Sequence, residues 1–346
     1  MDGDLGEECL IIPPQELLSD YDSVNVAAPM VRYSKLPFRH LVSLYDVHVT
    51  HTPMILAKEF SRSAEARRFD FSTSKQERGT FNLVERNGKR RRRVRGVLIA
   101  QFASSDSRSF ADAVELIHPY VDGVDLNCGC PQDWAYQECI GSFLLRQPDT
   151  VRDIVRAAKA RVDSNYPISI KIRVDKDLKR TDQLIQTAIH AGVSHITVHG
   201  RTRHQSSEGT PVSLSSIKFA VEAARGAVPV LANGDVWTRG DCERFKQETG
   251  ASAVMSARGL LANPALFSGF TDTPPEAVES FVRLATGYGL IFPLFHRHIA
   301  YMLESQLPRQ ERLYLNTLCS YAGVIDFLQS MGLQWTTEGE TSVHSI

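Results

Sequence analysis

From about residue 24 to residue 270, short runs of aliphatic and β-branched residues alternate with longer stretches whose apolar positions recur at helical spacing. This is the rhythm of repeated strand–helix units around a parallel sheet. Eight runs stand out: Val24–Ala28, Val47–Thr50, Val97–Phe102, Gly123–Asn127, Ser169–Arg173, His195–His199, Val228–Asn233 and Ala253–Ala257. Eight is the strand number of a TIM barrel, so the predicted fold class is α/β, a (β/α)8 barrel. Between the runs, Val151, Ile154, Val155, Ala158 and Val162 repeat with helical period, as do Leu184, Ile185, Ala188 and Ile189 ahead of the stop signal Gly192.

After Pro274 and Pro275 the strand pattern ceases, and two amphipathic segments, Phe292 to Leu303 and Leu313 to Leu328, predict a small C-terminal helical domain. The expected organisation is an N-terminal extension over 1–22, partly disordered, then a barrel over 23–270 with a basic insertion at about 84–96. A helical domain over 271–335 follows, and the polar, aperiodic stretch 336–346 is expected to be a disordered tail.

Composition narrows this picture in three ways. No apolar run approaches the roughly 20 residues of a membrane-spanning helix, so no membrane association is expected. The six cysteines are too sparse for a disulfide framework and no secretory segment opens the sequence, which suits a reducing cytosol, with the nucleus as the alternative. Lys plus Arg number 39 against 40 Asp plus Glu, so an anionic partner would need a local basic patch. Arg86, Lys89, Arg90, Arg91, Arg92, Arg93 and Arg95 form one, around a hairpin turn at Asn87-Gly88. It reads as a phosphate-contacting arm, a nuclear-localisation signal or a solvated loop, the first being favoured.

A TIM barrel carries its site at the carboxyl ends of the strands, and here those ends are polar. They present Ala28-Pro29-Met30, Gln101, Asn127 with Cys130 just beyond, Lys171 and Arg173, His199-Gly200-Arg201, Asn233-Gly234-Asp235, and Ala257-Arg258-Gly259. In Ile170-Lys171-Ile172 the strand alternation turns a charge inward, which is costly without an anionic partner, although a lysine snorkelling to the mouth would need none. The glycine-containing turns after the last two runs suit a phosphate, or are simply turns. Cys130, in Asn127-Cys128-Gly129-Cys130-Pro131, is a thiol over the mouth, able to exchange a proton. The same spacing also fits a buried small residue, and no partner ligands make a metal site with Cys128.

Taken together and in order, these motifs resemble the tRNA-dihydrouridine synthases over roughly residues 24 to 330. Ala28 to Lys35, Ile170 to Val174 and Gly259 to Ala265 are most similar to the eukaryotic branch associated with tRNA positions 20a and 20b. The resemblance implies FMN held by Ala28, Pro29, Met30, Gln101, Lys171, His199, Asn233, Gly234, Asp235, Ala257 and Arg258, reduced by NADPH or NADH. It implies hydride delivery to uracil C6, protonation of C5 by Cys130, and contact of Asn127 and Arg173 with the substrate uridine of a tRNA. Spacing alone does not choose between Cys128 and Cys130; the resemblance does.

The C-terminal helices resemble that family's tRNA-binding domain, with His296, Arg297, His298, Arg309 and Arg312 as candidates to serve it. A monomer is expected. Ser142 departs from the alanine that many relatives carry after the glycine. Two rivals are a dihydroorotate-dehydrogenase-like flavoenzyme acting on a small pyrimidine, and an RNA-binding barrel without catalysis; the presence of Cys130, Lys171 and His199 argues against the second.

Overall fold

A computed structural model describes residues 9–88 and 90–333; the tail predicted over 336–346, Lys89 and the first eight residues lie outside them. Eight parallel strands form the barrel: β1 Asn25–Ala27, β2 Val49–His51, β3 Val97–Ala103, β4 Gly123–Cys128, β5 Ile168–Arg173, β6 Ile196–His199, β7 Val230–Asn233 and β8 Ala253–Ser256. Each pairs with the next in sequence, β2 with β3 across a long intervening segment through Val49↔Val97, and β8 returns to β1 through Asn25↔Val254 to complete the ring. All eight lie where the alternation of patterns predicts them.

Strand alternation divides the core in two. Outward residues such as Leu98, Phe102, Leu126, Ile170, Val198 and Ala232 are buried against the surrounding helices. Those helices follow the sequence signals: Pro148–Lys159 buries Val151, Ile154, Val155 and Ala158, and Leu178–Ala191 stops at Gly192, whose φ is 92°. Inward residues Val26, Val49, Val97, Ile99, Leu231, Ala253 and Met255 fill the lower barrel with a second apolar cluster.

That lower cluster is closed from below by two elements. The helix Pro14–Asp20 contributes Leu17 and Leu18, and an antiparallel hairpin, Thr80–Val84 with Arg91–Arg95, contributes Phe81, Leu83 and Val94. The described part of the N-terminal extension is therefore built into the fold: Leu10 N–H donates to Arg93 O at 2.9 Å, and Asp22 N–H to Val84 O at 2.9 Å.

The basic run is this hairpin, starting at Thr80 rather than near 84. Several of its cations are occupied by protein. Arg86 donates to the carbonyls of Leu18 (3.0 Å), Tyr21 (3.2 Å) and Ser252 (2.7 Å). Arg92 pairs with Glu85, and Arg95 joins Arg78 on Asp122, just ahead of β4. Arg90, Arg91 and Arg93 are exposed. These residues lie at the amino end of the barrel, opposite the mouth.

At the other end of the chain, helix Pro275–Gly287 packs on the first barrel helix, Leu36–Ser43, so the helical ring is completed by residues beyond 270. Phe292–Leu303 is one helix, whereas the segment Leu313–Leu328 is two, Arg309–Thr317 and Tyr321–Ser330. The break comes where Ser320 turns out of helix to cap Gly323 N–H at 3.1 Å. His298 is buried, stacked on Phe38 with ring centroids 4.9 Å apart, and so joins the tail to the barrel and cannot reach RNA. Among the described residues no helix is long and apolar enough to cross a membrane.

Four histidines sit in this interior with lowered proton affinity. Burial pushes His48 and His51 down to about 4, and His195 and His298 down to about 3. In the unfolded chain each would bind a proton near pH 6.5, so the folded state loses stability as pH falls below that value, by about 1.4 kcal/mol per pH unit for each ring. Melting curves between pH 7 and pH 5 should show a steep fall in Tm that His298→Phe makes shallower. An unchanged slope in that variant would contradict the assignment.

Candidate active site

Strand register assembles the mouth in two inward-facing rows. Asn127 pairs with Lys171 and Lys171 with Thr197; the next row aligns Arg173, His199 and Asn233. Residues from four strands thus converge, as closure of a barrel requires.

The β7 and β8 tips form a cup. Asn233 Nδ2 donates to Met255 O at 2.9 Å and ties the two strands together. Gly234 follows with φ 120°, and a Cβ there would stand 2.8 Å from Val212 Cγ2 and 2.9 Å from His199 Cδ2, so only glycine fits. A cavity of about 140 Å³ is lined by Arg173, His199, Arg201, Gly234 and Arg258.

Asp235 buttresses the cup. Its carboxylate accepts from Arg201, from Arg258 Nη2 at 3.1 Å and from Val212 N–H at 3.0 Å. Arg258 also lies over the Trp237 ring, 4.9 Å from its centroid. Arg201 is a residue the sequence reading left without a role, although it stands in the His199-Gly200-Arg201 motif. Its guanidinium is buried, with Nε donating to Thr210 O at 2.6 Å.

The cup is strongly electropositive. Burial, then Lys171, Arg173, Arg201 and Arg258, push His199 down to about 2, so a neutral imidazole stands among four cations. Lys171 is half-buried, and burial followed by Arg173 pushes its ammonium down to about 8, against the pull of Asp125 and Cys130. Its Nζ has no hydrogen-bond or ion-pair partner among the described residues. One carboxylate, Asp235, offsets this charge within the cup, which leaves it ready for an anion.

Around the rim, Ala28 N–H donates to Ser256 O at 2.9 Å, and Ser34 holds the turn that follows by accepting from Met30 N–H at 3.0 Å and donating to Ala28 O at 3.0 Å. Pro29 and Met30 are left half-buried at the edge. Arg173 Nη1 donates to the carbonyls of Thr202 (2.8 Å) and Gln205 (3.2 Å). The two cysteines separate cleanly. Cys128 ends β4 facing outward, fully buried, and burial pushes its thiol well up; Cys130 lies in the loop above, partly exposed.

Asn127 is mostly occupied. Its Oδ1 accepts from Cys130 N–H (2.8 Å) and Gly129 N–H (3.1 Å), and its Nδ2 donates to Gln101 Oε1 (2.8 Å). Open grooves of about 640 and 450 Å³ flank the short helix Asp133–Gln137 beyond Cys130, one including Lys58, Asp106 and Trp134, the other Tyr136, Arg146 and Arg203.

Residues 26–322 match the sequence profile of a family described as dihydrouridine synthase (Dus). The chain belongs to the dihydrouridine synthase family. Among curated relatives, a Homo sapiens protein named tRNA-dihydrouridine(20a/20b) synthase NAD(P)+-like is 41% identical over 319 residues, covering 91% of this chain and 93% of that one. Two yeast proteins carry the name tRNA-dihydrouridine(20a/20b) synthase NAD(P)+. That of Schizosaccharomyces pombe is 42% identical over 305 residues, 88% of this chain and 86% of its own. That of Saccharomyces cerevisiae is 38% identical over 307 residues, 88% and 78% of the two chains. The family match spans all eight barrel strands but β1's first residue, and runs into the last helix.

The exposure of the thiols yields a direct check. Alkylation of the native protein followed by peptide mass spectrometry should label Cys130, together with the exposed Cys139 and Cys319, while Cys128 and Cys242 react only after denaturation. Labelling of Cys128 at the rate of Cys130 would contradict the outward orientation of β4's last residue.

Proposed function

We propose that this protein reduces uridine to 5,6-dihydrouridine in tRNA, at positions 20a and 20b, with NADPH or NADH as electron donor and FMN as bound cofactor. The observation that carries the reading is the cationic cup beside the Cys130 loop. Its size, its glycine-shaped wall and its Arg201 and Arg258 suit the phosphate of a flavin nucleotide, and the unpartnered Lys171 ammonium suits the anionic edge of a reduced ring. Bound FMN would supply hydride chemistry that amino-acid side chains lack.

The chain's own groups then have separable tasks. Gly234, Arg258 and the Asp235-held Arg201 cradle phosphate. Ala28, Pro29, Met30, Gln101, Asn233 and Ala257 border the ring, and neutral His199 adds a contact without another charge. Arg173 meets the uracil, joined by the remaining Nδ2 hydrogen of Asn127. Cys130 holds the proton that moves from Sγ to C5 of the pyrimidine.

A tRNA uridine must leave its stack to enter such a mouth; exposed Arg297 and Arg309 and half-buried Arg312 of the C-terminal helices are the cations offered there to its backbone. The free thiols suit a cytosolic or nuclear enzyme. A dihydroorotate-type reaction would need none of these outer cations.

Purified protein should be yellow and release FMN on heating. Cys130→Ala should keep the flavin and the affinity for tRNA while dihydrouridine formation falls by about 10²–10⁴-fold, the usual worth of a placed acid. Dihydrouridine is read by mass spectrometry of nuclease-digested tRNA. Full turnover in that variant, or a colourless protein that ignores added FMN, would remove the reading.

A further inference from the structure

The barrel interior holds a carboxylate to which the chemistry above gives no task. Asp125 is 1% exposed and points inward from β4, beside its register neighbour Ser169 of β5. Ser169 Oγ donates to Asp125 Oδ1 at 2.6 Å, and Gln101 Nε2 donates to Oδ2 at 2.8 Å. From there the bonds run outward. Gln101 Oε1 accepts from Asn127 Nδ2 at 2.8 Å, and Asn127 Oδ1 accepts from the backbone N–H groups of Cys130 and Gly129 at 2.8 and 3.1 Å.

Charge gives this chain of bonds its direction. An ionised carboxylate can only accept, so Gln101 has to turn its amino group inward and its carbonyl toward Asn127. Asn127 then has to turn its own amino group to Gln101 and its carbonyl to the two backbone amides. Reversing Gln101 would set its amino group against that of Asn127, and reversing Asn127 would set carbonyl against carbonyl and its amino group against the backbone N–H groups. Burial raises the Asp125 carboxyl to about 6, with Ser169, Gln101 and Lys171 opposing, so at neutral pH it remains the acceptor this direction needs.

The far side of the loop is held independently: Ser142 N–H donates to Cys130 O at 2.9 Å, and Gly141, at φ 64°, leaves no room for a Cβ, which would stand 2.8 Å from Cys130 Cβ. The amide side of Cys130 therefore rests on the bonds that begin at Asp125.

We propose that Asp125 is a positioning residue of this site: its carboxylate sets the orientation of Gln101 and Asn127 and, through Asn127, fixes the backbone that carries the Cys130 thiol. The proposal rests on Cys130 being the proton donor of the proposed reaction, and it makes the buried carboxylate a requirement for catalysis rather than for tRNA binding. Lys171 is next to it in the sheet, yet no hydrogen bond or ion pair joins the two; a role for Asp125 as a mere counter-charge to Lys171 predicts a different outcome below.

The test compares the full-length wild type with Asp125→Asn and with the double variant Asp125→Asn/Gln101→Glu. In the double variant the carboxylate moves one step outward and still accepts from Asn127, so every bond keeps a donor and an acceptor. Asp125→Asn should lower kcat for dihydrouridine formation at least tenfold with KM for tRNA unchanged, and should speed iodoacetamide alkylation of Cys130 severalfold as the loop loosens. The double variant should return the alkylation rate to within about twofold of wild type.

Wild-type kcat and alkylation in Asp125→Asn would overturn the proposal, as would a double variant that alkylates like the single one, the result expected of a counter-charge alone. Should Asp125→Asn fail to fold, the double variant decides by itself, and a rate outside the twofold range overturns the proposal. A wild-type protein that makes no dihydrouridine would defeat the functional reading, while the alkylation arm would still test the positioning role.

Discussion

The structure depends on closure. Pairing of Val49–His51 with Val97–Ile99, and of Asn25–Ala27 with Val254–Ser256, turns a twisted sheet into a ring. Once the ring is closed, every strand must place alternate side chains inside it. The lower interior can be dry because Leu17, Leu18, Phe81, Leu83 and Val94 seal it from below. The upper interior is open to the mouth, and there the same alternation delivers Gln101, Asp125, Asn127, Lys171, Arg173, His199 and Asn233 toward one axis. Site and core are two ends of one set of inward-facing positions.

This arrangement concentrates charge that would be ruinous in a closed core. Lys171, Arg173, Arg201 and Arg258 surround His199, and the cost of gathering them is held down by Asp235, by backbone carbonyls of Thr202, Gln205 and Thr210, and by access to solvent at the mouth. What these partners leave uncompensated is binding potential. An anion entering the cup meets arginines already oriented by these partners, so little reorganisation is needed when it binds. On the other side of the mouth the organisation is by hydrogen bonds, with a single buried carboxylate giving direction to the amides beneath the Cys130 loop.

The two ends of the chain serve this barrel in opposite ways. The N-terminal helix and basic hairpin close its foot, and Arg86, Arg92 and Arg95 are taken up in holding that closure. The C-terminal helices lie near the mouth, anchored through His298 between Phe38 and Phe281 and through Tyr33, which meets Tyr301 edge-on at 5.6 Å. Exposed cations thus stand at both ends, Arg90, Arg91 and Arg93 at the foot and Arg297 and Arg309 on the C-terminal helices.

The sequence by itself determined the eight strands, the helices between them and the inward turn of Lys171, because each follows from a short-range period that any local window displays. It also named the cup, since glycines and cations at successive strand ends are local features. Only tertiary structure decided that Cys128 is fully buried against the helices, that Asp235 buttresses Arg201 and Arg258, that Asp125 directs Gln101 and Asn127, and that the arginine hairpin sits at the foot. Each of these is a pairing between residues on different strands or loops. Hydrogen bonds and ion pairs across a closed barrel are fixed by register and shear, which bring together groups tens of residues apart and leave no periodic trace along the chain.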